Sequence, residues 1–151
     1  MLDIEEFRKK LDKKSRLMGI DPGRRRIGIA ISDNKKKIST PYTTLIKKDY
    51  SKFLLDIKKI VKENEITGIV IGNPLNMDGS SGRSAQSVKD TTENIEKNLD
   101  IPICLWDERL STVGAFNLSS QLDINVSKRE KKIDENAAAF ILQGALDFLN
   151  N

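Results

Sequence analysis

Residues 17–31 read Leu17-Met18-Gly19-Ile20-Asp21-Pro22-Gly23-Arg24-Arg25-Arg26-Ile27-Gly28-Ile29-Ala30-Ile31. Two short apolar runs flank a Pro-Gly turn, and the few residues between them allow only an antiparallel hairpin. Lys35-Lys36-Lys37 makes the next turn. Residues 38–46 then give a third strand, whose internal Pro41 suits a sheet edge.

Beyond residue 50 the pattern changes. Phe53, Leu54, Ile57, Ile60 and Val61 form one helical stripe over residues 50–64. Thr67-Gly68-Ile69-Val70-Ile71-Gly72 is apolar on both faces, as a buried parallel strand should be. A Gly/Ser/Asn loop over 73–84 leads to a helix at 84–98, and residues 101–106 make another short buried strand. A helix at 111–121, a polar basic loop at 122–132 and a last helix at 133–149 complete the reading. Hairpin-linked strands followed by helix-linked strands make an α/β fold. Right-handed crossovers put the last two strands beside the first and parallel to it, giving a five-stranded mixed sheet in the order 3-2-1-4-5.

The chain has 151 residues, enough for one domain with a real core. Residues 3–15 read as a charged helix with Ile4, Phe7 and Leu11 at helical spacing, packed loosely on the body or frayed. Residues 1–16 are thus expected to be a charged extension and 17–151 the domain proper. Acids at 3, 5 and 6 stand where a secretory signal would be basic and then apolar, and no apolar run is long enough to span a membrane. One cysteine excludes an internal disulfide framework, so a cytoplasmic protein is expected.

The chain contains no histidine. Ser-His-Asp and Cys-His catalysis and His-ligated zinc are thereby excluded, and the single cysteine removes thiolate zinc sites as well. What remains is carboxylate, lysine, hydroxyl and backbone chemistry, with an oxygen-bound metal such as Mg²⁺ or Mn²⁺. The net charge of +4 is a weak pointer to nucleic acid. Three basic clusters point more clearly: Arg24-Arg25-Arg26, Lys35-Lys36-Lys37 and Lys128-Arg129-Glu130-Lys131-Lys132.

In this sheet, strands 1, 4 and 5 run the same way and end at one rim, where sites usually form. Strand 1 ends in Asp21 and strand 5 in Asp107-Glu108. Stepping back four residues from Ala138 along the stripe Ala138, Ile141, Ala145, Phe148 reaches Asp134, which puts an acid in the first turn of the last helix, with Glu135 turned toward solvent. Singly, each acid also fits a plain role: helix cap, turn residue or solvated strand end. Together they would repel unless a cation neutralised them, and phosphodiester hydrolysis uses such a site. Trp106 and Cys104 are expected to be core residues. Gly79-Ser80-Ser81-Gly82 is expected to be a mobile loop.

Four stretches in order carry a resemblance. They are Gly19-Ile20-Asp21-Pro22-Gly23 with Ile27-Gly28-Ile29-Ala30, Gly72-Asn73-Pro74-Leu75-Asn76-Met77-Asp78-Gly79, Asp107-Glu108-Arg109-Leu110-Ser111-Thr112, and Ile133-Asp134 with Ala137-Ala138. Over roughly residues 17–149 the chain resembles the YqgF family of Holliday-junction-resolvase-like, or pre-16S rRNA processing, nucleases. The resemblance implies an RNase H-like sheet with helices on both faces. It also implies Asp21, Glu108 and Asp134 as the catalytic acids that bind Mg²⁺ or Mn²⁺, and it selects Glu108 over Asp107. Arg25 falls where the family often has a basic residue, while Glu135 replaces a common serine. Nucleic-acid contacts are expected from Arg24, Arg25, Arg26, Arg109, Lys128 and Arg129.

The expected activity is metal-dependent endonucleolytic processing of the 5′ end of precursor 16S rRNA, in contact with ribosomal particles, by a monomer or homodimer. The alternatives are a junction resolvase acting on branched DNA and a non-catalytic RNA-binding assembly factor. Asp-Pro-Gly after a strand also suits ATP-dependent kinase or Hsp70-type domains, but those need two such domains and this length allows one.

Overall fold

A computed structural model describes residues 2–23, 25–73, 83–107 and 126–150 of the chain. Its strands are β1 (Arg16–Pro22), β2 (Arg26–Ser32), β3 (Ser39–Ile46), β4 (Ile66–Asn73) and β5 (Ile103–Asp107). They form one sheet in the order β3-β2-β1-β4-β5. β1 pairs antiparallel with β2 and parallel with β4, β2 pairs antiparallel with β3, and β4 pairs parallel with β5. This is the order that the hairpin spacing and crossover handedness dictate.

Four helices accompany the sheet among the described residues: α1 (Ile4–Lys9), α2 (Tyr50–Glu63), α3 (Arg83–Asn98) and α4 (Val126–Leu149). Alternation along the strands splits the core into two layers. On one face Met18, Ile20, Ile29, Ile69, Ile71 and Ile103 pack with Phe53, Ile57 and Ile60 of α2 and Val88 and Ile95 of α3. On the other, Leu17, Ala30, Val70 and Cys104 meet Ala138, Ile141, Leu142, Ala145 and Leu146 of α4. No helix among the described residues is long and apolar enough to cross a membrane.

The N-terminal segment is tied down more firmly than its charge suggests. Leu2 forms a parallel bridge with Cys104, its N–H donating to the Ile103 carbonyl at 2.9 Å. It thus covers part of the outer edge of β5, where unpaired backbone groups would otherwise stand open. Phe7 is fully buried with Leu17 in the α4-side core. Arg8 donates from Nη2 to the Phe148 carbonyl at 2.9 Å, and its guanidinium lies 5.4 Å from the Phe148 ring centroid. The helix is shorter than the expected span over 3–15. Asp3 caps it by accepting from the Glu6 N–H at 2.8 Å, and it ends at Lys9. A turn follows in which Ser15 Oγ accepts from the Asp12 N–H and donates to the Asp12 carbonyl.

The last helix is longer than expected. Residues 126–132, anticipated as loop, are its first turns. Lys128, Arg129, Glu130, Lys131 and Lys132 lack an apolar stripe but are good helix formers, and no glycine or proline interrupts them. The expected helix at 111–121 and the Gly79–Gly82 loop lie outside the described residues.

Candidate active site

Asp21, half-buried near the end of β1, stands opposite Gly28 of β2 in the antiparallel register. Residues directly opposite one another in such a ladder point to the same side of the sheet. That side is the one covered by α4. A Cβ on Gly19, two residues before Asp21, would come within 2.6 Å of Leu142 Cβ and 2.9 Å of the Ala138 carbonyl. A Cβ on Gly28 would overlap the Asp134 carbonyl outright. The two glycines let the helix backbone lie directly on the sheet, and this contact seats Asp134 on Gly28, the residue opposite Asp21 in the ladder.

Asp134 is not in the first turn of its helix. It follows Val126 by about two turns, beyond the reach of the helix-terminal dipole. Its neutralising partner is a side chain instead. Arg26, the first residue of β2, places Nε 2.9 Å from Asp134 Oδ2. The Asp134 side chain is 16% exposed and that of Arg26 39%. At that depth a carboxylate requires a partner, because desolvation penalises the isolated charge.

Glu135, expected to face solvent, is half-buried and accepts from Thr44 Oγ1 at 3.4 Å. It leans toward β3. Residues one step apart on a helix are rotated by about 100°, and the outer strand of the sheet reaches far enough to meet the second position.

A cleft of about 610 Å³ opens beside the ion pair, lined by Gly23, Arg25, Arg26, Ile46 and Asp134. Arg25 is exposed, and its carbonyl accepts from the Lys47 N–H at 2.7 Å, which ties the end of β3 to the basic turn. Lys47 Nζ lies 5.1 Å from the Tyr50 ring centroid. Lys47 and Tyr50 escaped the sequence reading although Lys47-Lys48 adjoins Tyr50. Only the pairing of Arg26 with Ile46 brings that segment to the rim.

Strand alternation separates Asp107 from this cluster. Cys104 and Trp106 belong to the layer against α4, whereas Ile103 and Leu105 belong to the opposite one, and Asp107 continues the latter series. Trp106 packs its ring edge-on to Phe148, centroids 5.9 Å apart, and lies against Gly144. Cys104 is fully buried, and burial pushes its thiol up to about 12.

Of the expected site residues, the structure brings Asp21, Asp134, Arg25 and Arg26 to one end of the sheet. Arg24, Glu108 and Arg109 lie outside the described residues. Lys128 and Arg129 belong to α4, but their side chains fall outside the description as well. Among the described residues no group of three or more metal-ligating side chains converges.

The RuvX family, described as Holliday junction resolvase, matches residues 15–148. The chain belongs to the RuvX family. Its relatives include a protein of Pelagibacter ubique named "Putative pre-16S rRNA nuclease", 59% identical over the whole of both chains. A protein of the same name from Rhodobacter capsulatus is 43% identical over 97% of this chain and 92% of its own. RuvX membership makes the chain a nuclease. Among solved structures, Thermus thermophilus RuvC is similar with a TM-score of 0.56 at 8% identity, over 89% of this chain and 96% of that one. The T. thermophilus RuvC complex with a Holliday junction substrate gives 0.55 at 10% identity, over 87% and 93%. At such identities the likeness concerns the fold, which is RNase H-like.

Proposed function

We propose that this RuvX protein is a divalent-metal-dependent endonuclease that trims the 5′ end of precursor 16S rRNA, with Asp21, Glu108 and Asp134 as its catalytic acids. The observation that carries the reading is the seating of the Asp134 backbone on Gly28, the ladder partner of Asp21, at the C-terminal rim of the parallel strands. The alternation of β5 supports Glu108 as the third acid, since Asp107 belongs to the opposite layer.

The residues present fit a hard divalent cation. The donors are carboxylate oxygens, the chain has no histidine and its one thiol is buried in the core, and Asp134 already takes a cationic partner. A bound Mg²⁺ or Mn²⁺ would activate a water for attack on phosphorus and stabilise the leaving oxygen. The carboxylates of Asp21, Glu108 and Asp134 would hold that charge in place. Arg25 and Lys47, with Arg24, Arg109, Lys128 and Arg129, attract and orient the phosphate backbone around the cleft. Water adds to phosphorus, the bond to the 3′ oxygen breaks, and that oxygen takes up a proton. The products are a 5′-phosphate and a 3′-hydroxyl.

The substrate assignment is supported by the names of the full-length relatives. Its test incubates purified protein with a 5′-extended small-subunit rRNA precursor and, separately, a four-way DNA junction, each with Mg²⁺ or Mn²⁺. The expected result is metal-dependent shortening of the RNA, lost by at least about a hundredfold in Asp21→Asn and Glu108→Gln. Cleavage of the junction alone would assign a resolvase. Binding of RNA without metal-dependent products would assign a non-catalytic assembly factor. Cleavage surviving both substitutions would reject the site.

A further inference from the structure

We propose that Arg26 is the resident counter-cation of the metal site: its guanidinium holds Asp134, and an incoming divalent cation competes with it for that carboxylate. The inference rests on the reading of Asp134 as a metal ligand and assigns Arg26 a positioning role through that residue.

Three observations carry it. Arg26 Nε is 2.9 Å from Asp134 Oδ2, an ion pair at contact distance. The carboxylate is largely enclosed, so losing the arginine without gaining a metal would leave its charge less well compensated. The cleft flanked by Gly23, Arg25 and Ile46 is open beside the pair and gives the guanidinium somewhere to go.

A guanidinium and a divalent cation on the same carboxylate repel each other through their like charge, whichever oxygen each of them takes. The two therefore compete, and Arg26 lowers metal affinity in exchange for a stable, ordered site when the metal is absent. Arg25 lines the same cleft and carries the same charge, but Asp134 is the ion-pair partner of Arg26. It supplies the control that separates competition at one carboxylate from the general field of the basic turn.

The experiment titrates Mn²⁺ into the full-length protein without nucleic acid, by calorimetry and by electron paramagnetic resonance of free Mn²⁺. It compares wild type with Arg26→Gln, Arg26→Lys, Arg25→Gln, and Arg26→Gln in an Asp134→Asn background. Arg26→Gln is expected to bind Mn²⁺ about tenfold more tightly, within the usual range of coupling between sites. The same variant is expected to melt lower without metal and to gain more from it. Arg26→Lys, which keeps the charge, should stay near wild type and guards against misfolding of the glutamine variant. Arg25→Gln should change affinity far less, and the Arg26 effect should vanish once Asp134 is gone.

Equal effects of Arg25→Gln and Arg26→Gln would overturn the proposal in favour of a diffuse field. Weaker Mn²⁺ binding by Arg26→Gln would overturn it by making the arginine a support of the site. Failure of wild type and Arg26→Gln alike to bind Mn²⁺ would overturn the metal reading itself, an outcome distinct from both.

Discussion

Gly28 lies directly beneath the backbone of Asp134, so close that a methyl group in place of its hydrogen would overlap the Asp134 carbonyl oxygen. The same glycine faces Asp21 across the β1–β2 ladder. One residue without a side chain therefore fixes the spacing between two acids from opposite ends of the chain. Gly28→Ala must lift α4 or bend β2, at a cost of about 1–3 kcal/mol for overpacking. Urea unfolding should show that loss. Metal-dependent cleavage should fall at least about tenfold under conditions where the variant is fully folded, because small misplacements of catalytic groups are expensive. Full activity with normal stability would show that the contact does not set the site.

The N-terminal segment should behave as core. Phe7 is fully buried among Leu17, Val70 and the α4 side chains. Phe7→Ala is expected to cost about 3–5 kcal/mol, the usual penalty for emptying a large aromatic site. A change below about 0.5 kcal/mol in chemical denaturation, the range of ordinary surface substitutions, would mean that the segment is peripheral.

Cys104 gives a pH signature. Its thiol is held up to about 12, chiefly by burial and also by the charge of Asp3, against an ordinary value of 9.0. Above pH 9 the unfolded chain releases the proton while the folded one keeps it, so unfolding is favoured as pH rises between those two values. Stability measured from pH 8 to 11 should fall faster in wild type than in Cys104→Ala. At pH 8 a thiol reagent should label Cys104 only at the rate of unfolding. Immediate labelling of the folded protein would contradict the burial.

Arg25 and Lys47 should act on nucleic acid through charge. Replacing either with glutamine should weaken RNA binding to a similar degree for unrelated sequences. Each should reduce the slope of log affinity against log salt by about 0.7, the value expected for one lost phosphate contact on a single strand. Filter binding over a range of KCl concentrations measures this. An unchanged slope would remove these residues from the nucleic-acid path.

The sheet order was legible because it follows from local facts: a five-residue gap at 22–26 that permits only a hairpin, and apolar runs at 67–72 and 101–106 separated by helical patterns. Asp21 was legible at the end of the first strand of that hairpin, and Asp134 one step back along the stripe Ala138, Ile141, Ala145, Phe148. The start of α4 was not, because after Val126 its first two turns are polar and offer no stripe to read. Asp134 was consequently given a dipole when its partner is Arg26. That pair spans more than a hundred residues, as does the seat of Asp134 on Gly28. Neither leaves a periodic signal, since both arise only when helix and sheet pack. The docking of residues 2–9 was obscured by their charge, although Phe7 alone supplies the buried anchor.

One cation environment held jointly by Asp21, Glu108 and Asp134 is what the proposed activity requires. Its most direct test is an anomalous difference map from crystals of the wild-type protein soaked in Mn²⁺. Manganese peaks bounded by the carboxylates of those three residues are expected, with the Arg26 side chain turned away from Asp134. Manganese bound only elsewhere, in protein that cleaves its substrate with Mn²⁺, would contradict it.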